Sequence, residues 1–350
     1  MAVSPIELLK AARRRYYAAV YDKYQNAEAR TARARIEQSR PDHALDQRQL
    51  DEIAAYAADH LGSKVYAPWL ETYAAWRGEF LPGWIPDNYW GRHVVPVSIA
   101  KGRYDIPVTL ARRLIGDEAF PDIGYILRGR LTDETFAPVD PEAFEKAVFA
   151  DHEEVYVKID ASLRGRGVQR VKRDGFAKAI AGLSEAVIQS PIAIHDDLQR
   201  LSPNATPTLR MTTVIDKGTP RLVASYLRLA LPGATHIEAF SHMKISVADL
   251  ETGRLQTRGA LPDWTVIENH PATQEGFGTL TVPGFAAAAR SVVAWHARVP
   301  QVNYLGWDVA IRPDATAQLF EVNAGHAGIK FSEASVGPCF AGLGWDRLHL

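Results

Sequence analysis

The sequence contains a single cysteine, Cys339, among 350 residues. One thiol excludes a disulfide framework and a cysteine-based zinc site. No apolar run approaches the ~18 residues that a membrane-spanning helix needs, and the N-terminus lacks the apolar core of a signal peptide. The 40 basic and 41 acidic residues leave a formal net charge of −1, which argues against a general nucleic-acid binder, whose surface would be strongly basic. These absences predict a cytoplasmic protein without a transmembrane segment.

The chain is long enough to bury a sizeable core and to fold as more than one packed unit. Its first part shows helical spacing, interrupted at Pro41 and closed by Gly62. Composition divides the whole into a helical N-terminal extension, a linker or pre-domain rich in Trp, Tyr and Pro, and two α+β subdomains: residues 1–62, 63–115, 116–192 and 193–350.

Basic residues are frequent in the helical extension: Lys10, Arg13, Arg14, Arg15, Lys23, Arg30, Arg33 and Arg35. A run of charges on a helix is usually a solvated face. The alternative is contact with an anionic membrane surface or with a partner enzyme. The oligomeric state is not indicated by any pattern in the chain.

Two alternating segments near the C-terminus predict a β-hairpin with a turn around Asp314: residues 304–311 and 318–324. A turn centred after Asp314 puts Asp308 opposite Glu321, with Asn323 on the same face as Glu321. Like charges directly opposed in a sheet are destabilising, and oxygen ligands of this kind suit Mg²⁺. The hairpin therefore predicts a metal site built on half-buried strands. The alternative is that both carboxylates lie on the solvated face of an edge hairpin.

Residues 152–176 predict a strand, a Gly-rich loop and a second strand. Lys158 projects from the first strand on the face opposite its apolar stripe. The loop carries Ser162, Gly165 and Gly167, whose small side chains let backbone N–H groups approach an anion closely. The loop lacks the Gly-Lys-Ser/Thr of a Walker A motif and is no dinucleotide fingerprint. A strand lysine entering such a loop favours a phosphate site.

Seven segments in order resemble the ATP-grasp superfamily, and within it the sugar-transfer-associated, α-L-glutamate ligase-like group. They are FPDIGYILRG, VYVKIDASLRGRGV, AVIQSPIAIHDDL, LSPNATPTLRMTTV, YLRLALPG, NHPATQEGF, and GWDVAI with FEVNAGHAG. The resemblance covers roughly residues 80–335. It implies an α+β fold in which two subdomains clamp ATP, with Mg²⁺, or Mn²⁺ in its place, on the phosphates.

The resemblance also implies roles for individual residues. For the nucleotide these are Arg113 (with Arg112 beside it), Lys158, Ser162, Gly165 and Gly167 at the phosphates, and Gln189, Ser190 and Ile192 at the adenine. For the metal they are Asp308, Glu321 and Asn323, and for the transferred phosphoryl group Arg210 and Arg228. The hinge carries Ser190 where the family usually has an acidic residue. The segment 235–253 departs from the family's pattern and borders the acceptor region.

The function that the resemblance implies is an ATP-dependent carboxylate–amine ligase acting through an acyl phosphate on small-molecule substrates. The group's name favours the joining of an amino acid to a sugar acid in polysaccharide assembly. One alternative is a phosphotransferase that stops at a phosphorylated acceptor. A third hypothesis is a non-catalytic nucleotide-binding partner of a polysaccharide assembly system.

Overall fold

The computed structural model describes residues 5–98, 108–159, 167–234, 241–325 and 327–350. Ser162 and Gly165 of the Gly-rich loop lie outside these residues. The helices are α1 (Pro5–Ser39), α2 (Gln47–Leu61), α3 (Ala67–Arg77), α4 (Asp87–Tyr89), α5 (Val95–Ser98), α6 (Val108–Ile115), α7 (Pro141–Val148), α8 (Arg173–Ile180), α9 (Asp196–Gln199), α10 (Phe285–Ala297) and α11 (Lys330–Val336). The strands are β1 (Asp122–Leu127), β2 (Arg130–Asp133), β3 (Glu154–Ile159), β4 (Val168–Lys172), β5 (Glu185–Gln189), β6 (Thr208–Asp216), β7 (Thr219–Ala230), β8 (His242–Val247), β9 (Leu255–Ala260), β10 (Val266–Ile267), β11 (Tyr304–Ile311) and β12 (Ala317–Asn323).

A break in the N-terminal helical extension falls where the sequence predicts it. α1 ends at Ser39, and Pro41 opens a short 3-10 turn. Asp46 then caps α2: its side chain accepts a hydrogen bond from Gln49 N at 2.8 Å, and Gln49 Oε1 accepts one from Asp46 N at 2.9 Å. Gly62 closes α2 with a φ of 79°, a left-handed backbone that glycine adopts without a Cβ clash. The predicted helices are confirmed.

The basic residues of α1 as far as Lys23 are exposed: Lys10, Arg13, Arg14, Arg15 and Lys23. Contact of this helix with a membrane surface or a partner enzyme stays a prediction, as does the division of the chain into four regions. Among the described residues, no helix combines the length and the apolar character needed to cross a bilayer.

The first sheet has five antiparallel strands in the order β2-β1-β5-β3-β4. One face packs against α7 and α8 through Phe144 and Phe176. β3 and β4 are the strands predicted on either side of the Gly-rich loop. Where the loop rejoins β4, Gly167 O accepts a hydrogen bond from Ile159 N at 2.9 Å.

The second sheet has seven antiparallel strands in the order β10-β9-β8-β7-β6-β11-β12. β11 and β12 form the predicted hairpin, and the predicted pairing of Asp308 with Glu321 is confirmed. The expectation of a half-buried first strand is wrong, because every residue of β11 is buried. The reason is topological: β6 pairs with β11 on the side away from β12, so β11 is an inner strand. Asp308 is only 5% exposed and does not lie on a solvated face.

The two faces of the seven-stranded sheet have opposite chemical character. One face is apolar and packs beneath α10 through Leu209, Leu227, Ile245 and Trp307. Because side chains alternate along a strand, their neighbours project from the other face: Arg210, Arg228, Lys244 and Asp308. That second face carries the candidate site.

The helical extension and α11 cover one end of the second face. Tyr226 and Tyr304 of the sheet share a buried core with Trp69, Trp90 and Phe331. This core joins the first hundred residues to the C-terminal part of the chain. It positions α11 beside the charged side chains of the sheet.

Glu333 of α11 is fully buried and holds two main-chain segments. Its carboxylate accepts hydrogen bonds from Ile85 N and Cys339 N, both at 2.7 Å. Its own main-chain carbonyl accepts one from Trp84 Nε1 at 2.8 Å. One side chain therefore ties α11 to the segment before α4 and to the C-terminal segment.

We predict that Glu333→Ala lowers the free energy of unfolding by about 2 to 4 kcal/mol, because it leaves two buried N–H donors without acceptors. Chemical denaturation measures this loss. Glu79→Ala, at an exposed position after α3, is the matched control and should change the free energy by less than about 0.5 kcal/mol. Equal stability of the two variants would contradict the role of Glu333.

Candidate active site

Charged and polar side chains form two rows across the second face of the seven-stranded sheet. The first row crosses β12, β11, β6 and β7: Glu321, Asp308, Arg210 and Tyr226. In the adjacent row, Arg228 of β7 pairs with Lys244 of β8. The rows concentrate fixed positive charge around one central carboxylate.

Asp308 is held by two arginines. Arg210 donates two hydrogen bonds to it, from Nε to Oδ1 at 2.5 Å and from Nη2 to Oδ2 at 2.9 Å. Arg228 Nη2 lies 2.5 Å from Oδ1. Arg210 Nη1 also donates to Ala327 O at 2.8 Å. Gly328 follows with a φ of 72°, and a Cβ there would lie 3.3 Å from Arg210 Nη1, so the loop approaches the guanidinium closely.

The two opposed carboxylates are held in different electrostatic states. Burial alone would raise the pKa of Asp308, but Arg210 and Arg228 outweigh it and hold that pKa well below its ordinary range. Glu321 is solvent-exposed on the edge strand β12. Desolvation by neighbouring atoms, and then the negative charge of Asp308, raise the pKa of Glu321. The positive charges of Arg210, Lys158 and Arg228 oppose this shift. Asp308 is thus the fixed anion of the pair, and Glu321 the one that a cation would stabilise.

Lys158 brings the five-stranded sheet to this cluster. Its Nζ lies 5.4 Å from the ring centroid of Phe320, the residue before Glu321. Burial lowers the pKa of Lys158 to about 8, with Arg112 adding to the shift and Glu321 opposing it. No residue of the described chain forms an ion pair with Lys158. An ammonium with no ion-pair partner among the described residues suits an anionic ligand at this place.

A buried network lies next to Lys158 on the first sheet. Arg112 forms a two-pronged ion pair with Asp122, one contact being from Nη2 to Oδ1 at 3.2 Å. Gln189 Nε2 donates to Asp122 Oδ1 at 2.6 Å, and Tyr125 OH donates to Asp122 Oδ2 at 2.9 Å. The side-chain amide of Gln189 is therefore engaged in a hydrogen bond within the protein.

The role expected for Arg113 at the phosphates stays a prediction. Arg113 is exposed: its guanidinium lies 4.4 Å from the ring centroid of Phe136, and Nη2 donates to Thr135 O at 3.3 Å. Arg112, by contrast, is buried and faces Lys158. Helix spacing explains why Arg112 is buried: it lies three positions before the buried Ile115 and therefore on the same inner face of α6.

The expected adenine segment lies between the two sheets. Ser190 N donates to Pro121 O at 2.8 Å, and Ser190 Oγ contacts the same carbonyl at 3.3 Å. Ile192 is partly buried against the core beneath α10. The roles of Gln189, Ser190 and Ile192 at a nucleotide, and that of Gly167, stay predictions.

The oxygen donors of the hairpin fit a Mg²⁺ ion. Asp308 uses three of its roughly four lone-pair sites on the two arginines, which leaves one on Oδ2. Glu321 has no ion pair within the described ranges, and the buried Nδ2 of Asn323 has no hydrogen-bond partner there. An all-oxygen set is what Mg²⁺ prefers. No group of three or more His, Cys, Asp or Glu in the described residues could hold a metal. A set made of the two carboxylates and the side-chain oxygen of Asn323 stays a prediction.

Sequence reasoning missed Asp122 and Lys244. Asp122 opens an otherwise apolar strand, DIGYIL, and a charged residue in that position was a usable signal. Lys244 stands in HMKISV, where alternation opposes it to Met243 and Ile245. Neither pattern reveals the neighbours of these side chains: Asp122 contacts Arg112 of α6 and Gln189 of β5, and Lys244 lies opposite Arg228 of β7.

Residues 159–340, more than half of the chain, match the family model described as sugar-transfer associated ATP-grasp. No curated protein matches the chain. Similar solved structures include an L-amino acid ligase from Bacillus licheniformis (13% identity, TM-score 0.36, covering 76% of this chain and 48% of that one). A D-alanine-D-alanine ligase from Coxiella burnetii has 10% identity and a TM-score of 0.40, covering 69% and 57%. D-cycloserine synthetase DcsG has 14% identity and a TM-score of 0.41, covering 70% and 71%.

The chain thus spans about half the length of the first two of these structures. At such low TM-scores the neighbours carry no argument about activity, which rests on the family match and on the site itself.

We predict that affinity for a non-hydrolysable ATP analogue falls as the pH rises through about 8. The lowered pKa of Lys158 means that the amine is charged below that pH and loses its proton above it. If only the charged form meets phosphate, affinity falls roughly tenfold between about pH 7 and pH 9. Calorimetric titration across this range measures the slope.

Lys158→Arg stays protonated throughout and should remove the slope, whereas Lys178→Arg, at an exposed position on α8, should retain it. An unchanged slope in Lys158→Arg would assign the proton to another group.

Proposed function

Because the chain belongs to the sugar-transfer associated ATP-grasp family, we propose that it is an ATP- and Mg²⁺-dependent ligase. It would join a carboxylate to an amine through an acyl phosphate. The observation that supports this is the gathering of Lys158, Arg210 and Arg228 around Asp308 and Glu321, from two sheets. Such a cluster suits a reaction in which several anions must meet.

The proposed reaction has two steps. An oxygen of the acceptor carboxylate attacks the γ-phosphorus of ATP, the bond to the β-phosphate oxygen breaks, and ADP leaves. The amine nitrogen then attacks the acyl carbon, the bond from that carbon to the phosphate oxygen breaks, and the nitrogen loses a proton. Positioning and charge stabilisation account for most of the catalysis, because carboxylate and triphosphate repel each other in the absence of cations.

The residues take roles that follow from their places. Lys158 binds the phosphates from the first sheet, with Arg112 in the position first expected for Arg113. Arg210 is fixed on three sides by Asp308 and Ala327 O, so its charge is held in one geometry for the transferring phosphoryl group. Arg228 shares Asp308 with it and lies nearer the acceptor.

Glu321 and Asn323 would hold Mg²⁺, with the remaining lone pair of Asp308. When bound, the ion neutralises phosphate charge and orients the phosphates. The family's description alone suggests a sugar acid or another small carboxylate as the acceptor and an amino acid as the amine.

The experiment that tests the proposal uses hydroxylamine as a general amine. The protein is incubated with ATP, Mg²⁺ and a panel of small carboxylic acids including sugar acids. An acyl phosphate reacts with hydroxylamine to form a hydroxamate, so we expect hydroxamate and ADP in equal amounts for an acid that is a substrate.

We predict that Arg210→Lys lowers kcat on the order of a hundredfold while ATP affinity changes only several-fold, because the planar guanidinium group is lost but the charge remains.

Arg221→Lys is the matched control, since Arg221 lies at the far end of β7 and pairs with Asp216 at 3.0 Å. It should leave kcat unchanged. ADP formed with a stable phosphorylated acceptor and no hydroxamate would favour a phosphotransferase. If ATP binds but no acid of the panel leads to ADP, the result would favour a non-catalytic nucleotide-binding partner.

A further inference from the structure

Lys244 is a charged residue that the proposed chemistry leaves without a role. It stands on β8 directly opposite Arg228 of β7, on the face of the sheet that carries the site. The side chain is partly buried, and no described residue forms an ion pair with it. Among the described residues, the charged groups that act on it most strongly are Lys330 of α11, Arg228, Glu28 of α1 and Arg210, and three of these four are cations.

Glu28 is already engaged. It accepts from Lys330 Nζ at 2.7 Å, and Asp87 lies 3.4 Å from the same nitrogen. Burial would lower the pKa of Lys330, but Asp87 and Glu28 outweigh it and raise that pKa. Lys244, close by, has the opposite balance: burial lowers its pKa to about 8, and Lys330 and Arg228 add to the shift. The protein thus neutralises one lysine and leaves its neighbour short of negative charge.

Arg228 has spare hydrogen-bonding capacity beside Lys244. One of its terminal nitrogens contacts Asp308, while its Nε is buried without a hydrogen-bond partner among the described residues. A buried guanidinium N–H that makes no hydrogen bond costs free energy. Two adjacent cations, one with an orphaned donor and one with no ion-pair partner among the described residues, suit an anionic ligand at this place.

The position of Lys244 separates it from the nucleotide. Its strand is three strands from that of Asp308, which is about 14 Å at the usual strand spacing of about 4.8 Å. Lys158 meets the sheet on the other side of Asp308, beside Phe320. Phosphates bound at Lys158 would therefore lie away from Lys244, which is on the acceptor's side.

We propose that Lys244 and Arg228 bind a second acidic group of the acceptor, so that the acceptor is a diacid of which one carboxylate is phosphorylated and the other is held here. This inference rests on the ligase function proposed above. It also gives the helical extension a role, because α1 and α11 form the wall of the subsite through Glu28 and Lys330.

Matched pairs of acids test the proposal. The probes are unbranched α,ω-dicarboxylates and glucarate. Each dicarboxylate is compared with the monocarboxylate of the same length, and glucarate is compared with gluconate. Calorimetry measures their affinity for the full chain with Mg²⁺ and a non-hydrolysable ATP analogue. We expect at least one diacid to bind the wild type at least about tenfold more tightly than its monoacid partner, a gain typical of one paired charge. Lys244→Met should abolish that preference and Lys244→Arg should keep most of it.

Two further measurements separate binding from structure. Affinity for the ATP analogue should be unchanged in Lys244→Met. Its unfolding midpoint should be equal to or higher than that of the wild type, because the variant removes a partly buried charge that pairs with no described residue. Lys178→Met, at an exposed position on α8, controls for loss of a lysine and should keep the diacid preference.

The proposal is overturned if no diacid binds more tightly than its monoacid, or if Lys244→Met keeps the preference. A lower unfolding midpoint in Lys244→Met would instead make Lys244 a structural residue. The ligase function fails separately: diacid preference without hydroxamate formation would contradict that function alone, and hydroxamate formation without diacid preference would contradict the subsite alone.

Discussion

The ion pairs that Asp308 makes with Arg210 and Arg228 are the constraint on which the rest of the site depends. Two guanidinium groups on neighbouring strands repel each other inside a protein, and one carboxylate between them removes that repulsion. The three residues join β11, β6 and β7, and Arg210 extends the network to Ala327 O in the loop after β12. Strand register, loop position and the charge of the site are therefore set together.

Charge is distributed unevenly around this centre. Lys158 on one side and Lys244 on the other both have pKa values lowered to about 8 by burial, and neither has a carboxylate partner in the described chain. Other buried cations nearby are neutralised: Arg112 by Asp122, and Lys330 by Glu28 and Asp87. The same fold thus satisfies some of its cations internally and leaves two without an ion-pair partner among the described residues, which suits anionic ligands. An anion at each end of the row is the arrangement that a nucleotide and an acidic acceptor would complete.

Local patterns in the sequence predict the parts of this site that are close in the chain. The pairing of Asp308 with Glu321 follows from alternation and a short turn, and the cap at Gly62 follows from helix chemistry. The burial of β11 could not be predicted, because it depends on β6, whose Arg210 is 98 residues away from Asp308. Alternation gives the face of a residue but not the strand that will lie beside it.

Helix geometry explains why Arg112 and Arg113 have different environments. One position along a helix rotates a side chain by about 100°, so Arg112 and Arg113 lie on different faces of α6 although both are arginines. The buried position of Ile115 would have favoured Arg112. The hydrogen bond from Gln189 to Asp122 could not be predicted from local sequence, because the two residues meet only when β1 pairs with β5.

The central claim is that Asp308 compensates the buried Arg210 and the partly buried Arg228. A double-mutant cycle on the free energy of unfolding tests it most directly. The cycle compares the wild type, Asp308→Asn, Arg210→Gln and the double variant by chemical denaturation. The account predicts that each single variant is destabilised by about 3 kcal/mol, because each leaves a buried charge unpaired. It predicts that the double variant is less destabilised than the sum, by at least about 1 kcal/mol. Additivity within about 0.5 kcal/mol, or an Asp308→Asn variant as stable as the wild type, would contradict it.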